Sequence, residues 1–128
     1  NEVYIKYGSK GPVSVIFKEG VTTIEQYAFW GCIYITSLTF PEGVTTIEYY
    51  AFKECTGLTS VTFPEGLTTI ERHAFSECSG LTSLIFPGLT TIDMSAFKGC
   101  TGLTEVRISQ NTDVSEYVFD SNVKIIRY

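Results

Sequence analysis

The chain has 128 residues, of which 44% are hydrophobic, 14% aromatic and 18% charged, proportions that suit one folded domain and exclude a disordered chain. Its formal net charge of −5 offers no positive field to a phosphate backbone or an anionic membrane surface, so nucleic acid is not an expected partner. No run approaches the roughly 18 consecutive apolar residues of a spanning helix, so membrane insertion is not expected either.

The chain opens on Asn1-Glu2-Val3 rather than on a Met and a charged leader, which leads us to expect a trimmed piece of something longer. The first expected element is a strand, Val3-Tyr4-Ile5-Lys6-Tyr7, with the loop Gly8-Ser9-Lys10-Gly11-Pro12 after it. Residues 1–12 thus read as a strand and loop covering one end of the domain. From residue 13 a fixed period takes over, and it outranks any local propensity. Cysteines stand at 32, 55, 78 and 100, spaced 23, 23 and 22. Ile24, Ile47, Ile70 and Ile92 keep the same clock, with Val114 in phase. So do Phe29, Phe52, Phe75 and Phe97, each preceded by an Ala, with Phe119 in phase. A second aromatic column runs Phe17, Phe40, Phe63, Phe86 and becomes Ile108. The pattern gives about five coils of 22 to 23 residues over 13–119, with Cys32 in coil 1. The shortening at Pro87-Gly88, which lacks the Glu of Pro41-Glu42-Gly43 and Pro64-Glu65-Gly66, falls in a turn, where length changes are tolerated.

Within coil 3 the alternation in Leu58-Thr59-Ser60-Val61-Thr62-Phe63 predicts a short strand with Val61 and Phe63 inward and Ser60 and Thr62 outward. Pro64-Glu65-Gly66 ends it. Ile70, Ala74 and Cys78 then fall at i, i+4 and i+8, which predicts a short helical turn with one buried face. Gly80 is expected to end that turn in the left-handed conformation. No coil can bury such a face alone, but stacking coils about 5 Å apart pairs their strands into a parallel sheet and builds one core. Residues 120–128 close the chain with a charged strand, Val123-Lys124-Ile125-Ile126-Arg127-Tyr128, and Asn122 replaces the Cys column, which reads as a cap. The whole, 1–128, is expected to be one solenoid domain.

The unit Leu58-x-x-Val61-x-Phe63-Pro64-x-Gly66-Leu67-x-x-Ile70-x-x-x-Ala74-Phe75-x-x-Cys78 resembles the BspA-type leucine-rich repeat, also called the Treponema pallidum type. Its most specific part is the Ala-Phe-x-x-Cys segment, present at Ala28, Ala51, Ala74 and Ala96. Val118-Phe119-x-x-Asn122 departs from it, and Tyr34 stands where Gly57, Gly80 and Gly102 stand in later coils. The resemblance implies a curved leucine-rich-repeat solenoid, with strands on one face and helical turns on the other, in a surface-exposed or secreted protein of a bacterium or parasitic protist. In that family such domains are associated with adhesion to host proteins or other cells.

The chemistry-bearing residues do not assemble a catalytic centre. A column of inward cysteines strung along a ladder reads as small buried hydrophobes rather than a disulfide or a zinc site, because neither the Cβ vectors nor the ligands converge. Glu25, Glu48, Glu71 and Asp93 form an acidic row that could hold Ca²⁺, but each is expected at the start of a helical turn, where a negative side chain is favoured anyway. The carboxylates lie at turns rather than on a strand face suited to glycoside chemistry. His73 is the only histidine and reads as an exposed, variable position in phase with Tyr27, Tyr50, Ser95 and Tyr117. No catalytic residue, metal or cofactor is therefore expected.

Two surfaces remain as binding candidates. The sheet face presents Ser37, Thr39, Ser60, Thr62, Ser83, Ile85, Glu105 and Arg107, and the concave sheet of a solenoid is its usual contact surface. The opposite surface carries Tyr27, Trp30, Tyr49 and Tyr50, residue types common among binding hot spots. The reading is an extracellular or cell-surface protein-interaction module that contacts a surface or matrix protein of a host or neighbouring cell. A structural spacer in a larger surface protein is the alternative. The Ser/Thr rows invite comparison with ice-binding threonine arrays, but Ile85, Glu105 and Arg107 break them.

Overall fold

The computed structural model describes residues 3–7, 13–88 and 91–128, with side chains placed from residue 15 onward. In chain order its strands are β1 (Val3–Tyr7), β2 (Val13–Phe17), β3 (Thr23–Ile24), β4 (Ile35–Thr39), β5 (Thr46–Ile47), β6 (Ser60–Thr62), β7 (Thr69–Ile70), β8 (Ser83–Ile85), β9 (Thr91–Ile92), β10 (Glu105–Ile108), β11 (Asp113–Val114) and β12 (Lys124–Arg127). From β2 onward, hydrogen-bonded neighbours differ by two in this numbering, because each coil lends one strand to a front sheet and one to a back sheet. The back sheet runs β3-β5-β7-β9-β11 without a break. The front is divided into β1-β2-β4-β6 and β8-β10-β12. All pairs are parallel except the first, in which β1 lies antiparallel on β2, from Val3 opposite Phe17 to Tyr7 opposite Val13. The expected opening strand is thus present, and its loop lies outside the described residues.

The apolar columns meet inside. Phe29, Phe52, Phe75 and Phe97 stack on one another at 5.0 to 5.1 Å, and Phe40, Phe63 and Phe86 form a second stack beside them. The two stacks touch edge to face, as at Phe63–Phe75 (5.9 Å, 88°), an arrangement the ring quadrupoles favour. Each buried Phe or Ile contributes roughly 1.5–3 kcal/mol by removing apolar surface from water. Val61, expected inside, is only half-buried, and Ala28 is exposed whereas Ala51, Ala74 and Ala96 are fully buried. Ala28 belongs to coil 1, and no turn segment stacks on its N-terminal side among the described residues.

The third side of each coil is not helical. In coil 3 the N–H groups of Ala74, Ser76 and Cys78 donate to the carbonyls of Glu71, His73 and Phe75, three residues back, at 3.1 to 3.3 Å. The alternate N–H groups, those of His73, Phe75 and Glu77, instead cross to Met94, Ala96 and Lys98 of the next coil at 3.4, 2.8 and 2.7 Å. A helix would use every N–H within its own segment. Here three overlapping four-residue turns share the i, i+4 spacing of a helix while lending every second bond to the ladder between coils. His73 (φ 56°) and Glu77 (φ 62°) adopt the left-handed conformation that the turns demand, as do Tyr27, Tyr50, Glu54, Ser95 and Tyr117 in the other coils.

Gly80 does not take a positive φ. It is required for a different reason: a Cβ there would lie 2.7 Å from the Leu58 carbonyl oxygen and 2.9 Å from that of Thr56 in the coil before. Gly57 and Gly102 are crowded in the same way, by Ile33 at 2.2 Å and Ser79 at 2.6 Å. Tyr34, one coil earlier, keeps its ring 63% exposed.

The cysteines are free thiols with an assigned task. The Sγ atoms of Cys55, Cys78 and Cys100 donate to the carbonyls of Phe29, Phe52 and Phe75 in the preceding coils at 3.1 to 3.2 Å. The hydrogen bond with the Cys55 thiol, then burial, pushes the Cys78 thiol up, and burial pushes Cys100 up to about 12, so both keep the proton they donate. Cys32 has no such preceding carbonyl among the described residues and is only half-buried. At the other end, the Arg127 guanidinium donates to the carbonyls of Ser109, Gln110 and Thr112, each at 3.1 Å, and the Tyr128 hydroxyl donates to the Phe86 carbonyl. These contacts tie β12 across the last coil.

Candidate functional site

On the front face the strand registers place Ser37 beside Ser60 and Thr39 beside Thr62, and Ser83 beside Glu105 and Ile85 beside Arg107. All eight expected face residues reach solvent. Ile85 is 63% exposed, whereas Glu105 is half-buried and pairs with Arg107 at 3.7 Å. The structure thus divides them into two patches. Between the patches, no backbone hydrogen bond joins β6 to β8 among the described residues.

The equivalent bonds exist at the junctions on either side. Thr59 N–H donates to Thr36 at 2.8 Å and Thr104 N–H to Thr82 at 3.0 Å, and Phe40 N–H and Phe86 N–H cross to Thr62 and Arg107. The Phe63 and Phe86 rings still stack at 4.9 Å beneath this seam, so the core is continuous while the sheet above it is open. A groove of about 530 Å³ lies there, bordered by Ser60, Thr62, Glu65, Ser83, Ile85 and Pro87, and it accounts for the exposure of Val61. The seam borders the coil whose turn, Pro87-Gly88, is one residue short.

On the turn side the expected aromatic residues do touch. Tyr27 stacks on Tyr50 at 5.2 Å (4°), and Tyr50 stacks in turn on His73 at 5.2 Å (8°). Tyr49 stands perpendicular to both tyrosines, at 5.7 Å from each. Trp30 lies 5.4 Å from Tyr27, and its Nε1–H donates to Glu54 Oε2 at 2.9 Å. The Lys53 ammonium sits 5.5 Å from the Tyr50 ring centroid and pairs with Glu77.

His73, read from sequence as an exposed, variable position, is a half-buried member of this stack, and its buried Nδ1 has no hydrogen-bond partner among the described residues. Burial, reinforced by Lys53, Arg72 and Lys98 and opposed by Glu77, holds its pKa below the usual histidine value. Its phase with Tyr27 and Tyr50 was the signal that could have placed it in the ladder.

The acidic row has a structural task that the expected helical turns concealed. Glu48 Oε1 accepts the N–H of Gln26 at 3.1 Å, and Glu71 Oε1 accepts the N–H of Tyr49 at 3.2 Å, each one coil back. Asp93, a carbon shorter, accepts from Met94 at 2.7 Å instead. These carboxylates satisfy turn N–H groups that no carbonyl reaches. Beside them, Tyr49, Tyr50, Thr69, Glu71, Arg72 and Asp93 enclose a second groove of about 410 Å³. Arg72 was not singled out from sequence, and Glu71 and Asp93 were read there only as part of an acidic row that could hold Ca²⁺. Among the described residues no three His, Cys, Asp or Glu side chains gather as a metal set.

Comparison with known proteins agrees with this architecture. The family description "BspA type Leucine rich repeat region" matches residues 7–126 in six copies. A leucine-rich repeat protein from Bacteroides ovatus is similar at 25% identity and a TM-score of 0.76, over 100% of this chain and 40% of that one. A leucine rich cell surface protein from Faecalibacterium prausnitzii is similar at 26% identity and a TM-score of 0.77, over 98% of this chain and 38% of that one. The T. pallidum leucine-rich repeat protein shares the fold, at 19% identity and a TM-score of 0.55, over 95% of this chain and 82% of that one. The chain therefore spans about two fifths of the length of the first two. No curated protein matches.

Proposed function

The chain belongs to the BspA-type leucine-rich repeat family, and from that premise we propose that it is a non-catalytic adhesion module of an extracellular or cell-surface protein. The front sheet face, aided by the aromatic ridge, contacts a surface or matrix protein of a host or neighbouring cell. Residues 1–128 act as one such domain, with repeats over 13–119 between an opening strand and a closing strand. The observation that carries this reading is the open seam. A sheet whose only task is to hold coils together has no use for a break in its ladder, whereas a contact surface gains a groove with apolar Ile85 and a row of hydroxyls on its walls. The likeness to a leucine rich cell surface protein supports the location.

A structural spacer is the competing reading, and one observation favours it. The Thr45, Thr59, Thr68 and Thr104 hydroxyls are consumed by carbonyls of the preceding coils, so part of the hydroxyl pattern serves the fold. The test is a binding screen against extracellular-matrix and cell-surface proteins, with Thr39→Arg/Thr62→Arg and Trp30→Ala/Tyr49→Ala variants alongside. A saturable partner lost in the front-face variant supports the module. The absence of any micromolar partner shifts the reading to the spacer.

A further inference from the structure

The groove beside the aromatic ridge brings together three kinds of group: an aromatic wall, oriented carboxylates and a guanidinium. The faces of Tyr27, Tyr50 and His73 are largely spent on one another in the 5.2 Å stack. Tyr49 stands across that stack and remains 39% exposed, so it offers the open aromatic surface. Facing it, Glu71 and Asp93 each have one oxygen held by a backbone N–H, at 3.2 and 2.7 Å, while the other has no hydrogen-bond partner among the described residues. Each carboxylate is therefore fixed in orientation and still able to accept. Arg72 adds a fork of donors.

The balance of charge decides the ligand. A basic side chain would meet Arg72, and an anion would meet two carboxylates. A neutral polyol satisfies all three, giving hydroxyl protons to the carboxylates and accepting from the guanidinium in charge-assisted bonds. An aliphatic C–H face completes the fit by packing on Tyr49. We propose that this groove binds a neutral oligosaccharide, with one pyranose ring against Tyr49 and adjacent hydroxyls on Asp93, Glu71 and Arg72. The inference rests on the aromatic ridge being a contact surface and names the chemistry it takes. No other coil repeats this wall, because the place of Tyr49 is taken by Gln26, Arg72, Met94 and Glu116 in coils 1, 3, 4 and 5.

The volume of about 410 Å³ lies within the range of small-molecule sites, roughly 300–1,000 Å³. The test uses the intact chain and the methyl glycosides and β-linked disaccharides of glucose, galactose and mannose, monitored by amide chemical-shift changes and saturation transfer. The expected result is a saturable response of about millimolar affinity for at least one sugar, with shifts centred on residues 49, 71, 72 and 93. Tyr49→Ala and Asp93→Asn each weaken it roughly tenfold, the Asn still accepting the Met94 N–H so that the turn stays intact. Thr62→Arg leaves it unchanged.

No response at tens of millimolar sugar overturns the proposal, as does a response that survives both groove variants or maps to the front face. If no sugar binds while Trp30→Ala/Tyr49→Ala abolishes capture of a surface protein, the oligosaccharide is refuted and the protein-interaction reading stands.

Discussion

Replacing Gly57 with Ala tests whether the stacking distance between coils is set by a backbone-on-backbone contact. The added Cβ would sit 2.2 Å from the Ile33 carbonyl oxygen, about 1.2 Å short of ordinary contact at 3.4 Å. That oxygen is backbone and cannot rotate away, so coil 2 must move off coil 1. Such a movement stretches the bonds nearest the contact, Thr59 N–H to Thr36 at 2.8 Å and the Thr59 hydroxyl to the same oxygen at 3.1 Å.

Overpacking costs about 1–3 kcal/mol and the two stretched hydrogen bonds about 1 kcal/mol together, so the expected loss is about 2–4 kcal/mol. In urea unfolding monitored by far-UV circular dichroism, the midpoint should fall by about 1–2 M. Gly31→Ala is the control. Its Cβ meets nothing within 4 Å, and only the left-handed φ of 73° is strained, a cost of about 1–2 kcal/mol. A Gly57→Ala protein within about 0.5 kcal/mol of the parent, or one more stable than Gly31→Ala, would refute the close-approach account.

Thiol labelling of the native chain should modify Cys32 first and leave Cys55, Cys78 and Cys100 protected until unfolding, and equal rates at all four would contradict the buried column. Because the folded pKa of His73 is depressed below its ordinary value of about 6.5, the unfolded chain binds more protons as the pH falls through that region. Stability is therefore full above about 6.5 and declines as the pH falls toward the folded value. The parent should lose more stability between about pH 7 and pH 5.5 than His73→Asn, which tolerates the left-handed turn, and parallel slopes would remove His73 from the account. At the front seam, the amides of Phe63 and Thr82 should exchange faster than their counterparts Phe40, Thr59, Phe86 and Thr104, which donate across their junctions. Protection of Phe63 and Thr82 equal to these four would mean that the sheet is closed in solution.

The apolar columns were legible because burial is read by period alone. Phe52, Ile70 and Cys78 recur at fixed offsets and sit at 0% exposure, whatever local geometry carries them there. The turn side was misread for the same reason. Ile70, Ala74 and Cys78 satisfy a helical spacing and a run of overlapping four-residue turns equally well, and the left-handed residues that separate the two are His73 and Glu77 rather than glycines. With no helix, the acidic row lost its expected role at helix starts and acquired one at the N–H groups of Gln26 and Tyr49. The seam had a faint trace, the missing Glu before Gly88, but nothing in the letters says which ladder bonds a shortened turn releases.

The candidate ridge shows why surface residues in such a fold resist assignment from sequence. Tyr27, Tyr50 and His73 occupy a strained left-handed place, about 1–3 kcal/mol unfavourable for a residue with a Cβ. Stacking of their rings along the coils offsets part of that strain, and the Lys53 ammonium adds its own attraction at Tyr50. The stack stops at Ser95, which is small and buried. A Tyr50→Ala variant would thus lose ring contacts to Tyr27, Tyr49, Trp30 and His73 together, and any loss of binding would be mixed with a loss of order. Tyr49 differs, since it stands across the stack and neither of its neighbours needs it to hold the turn. Its removal separates a contact made to a ligand from a contact made to the fold, and the groove and the ridge are best tested there.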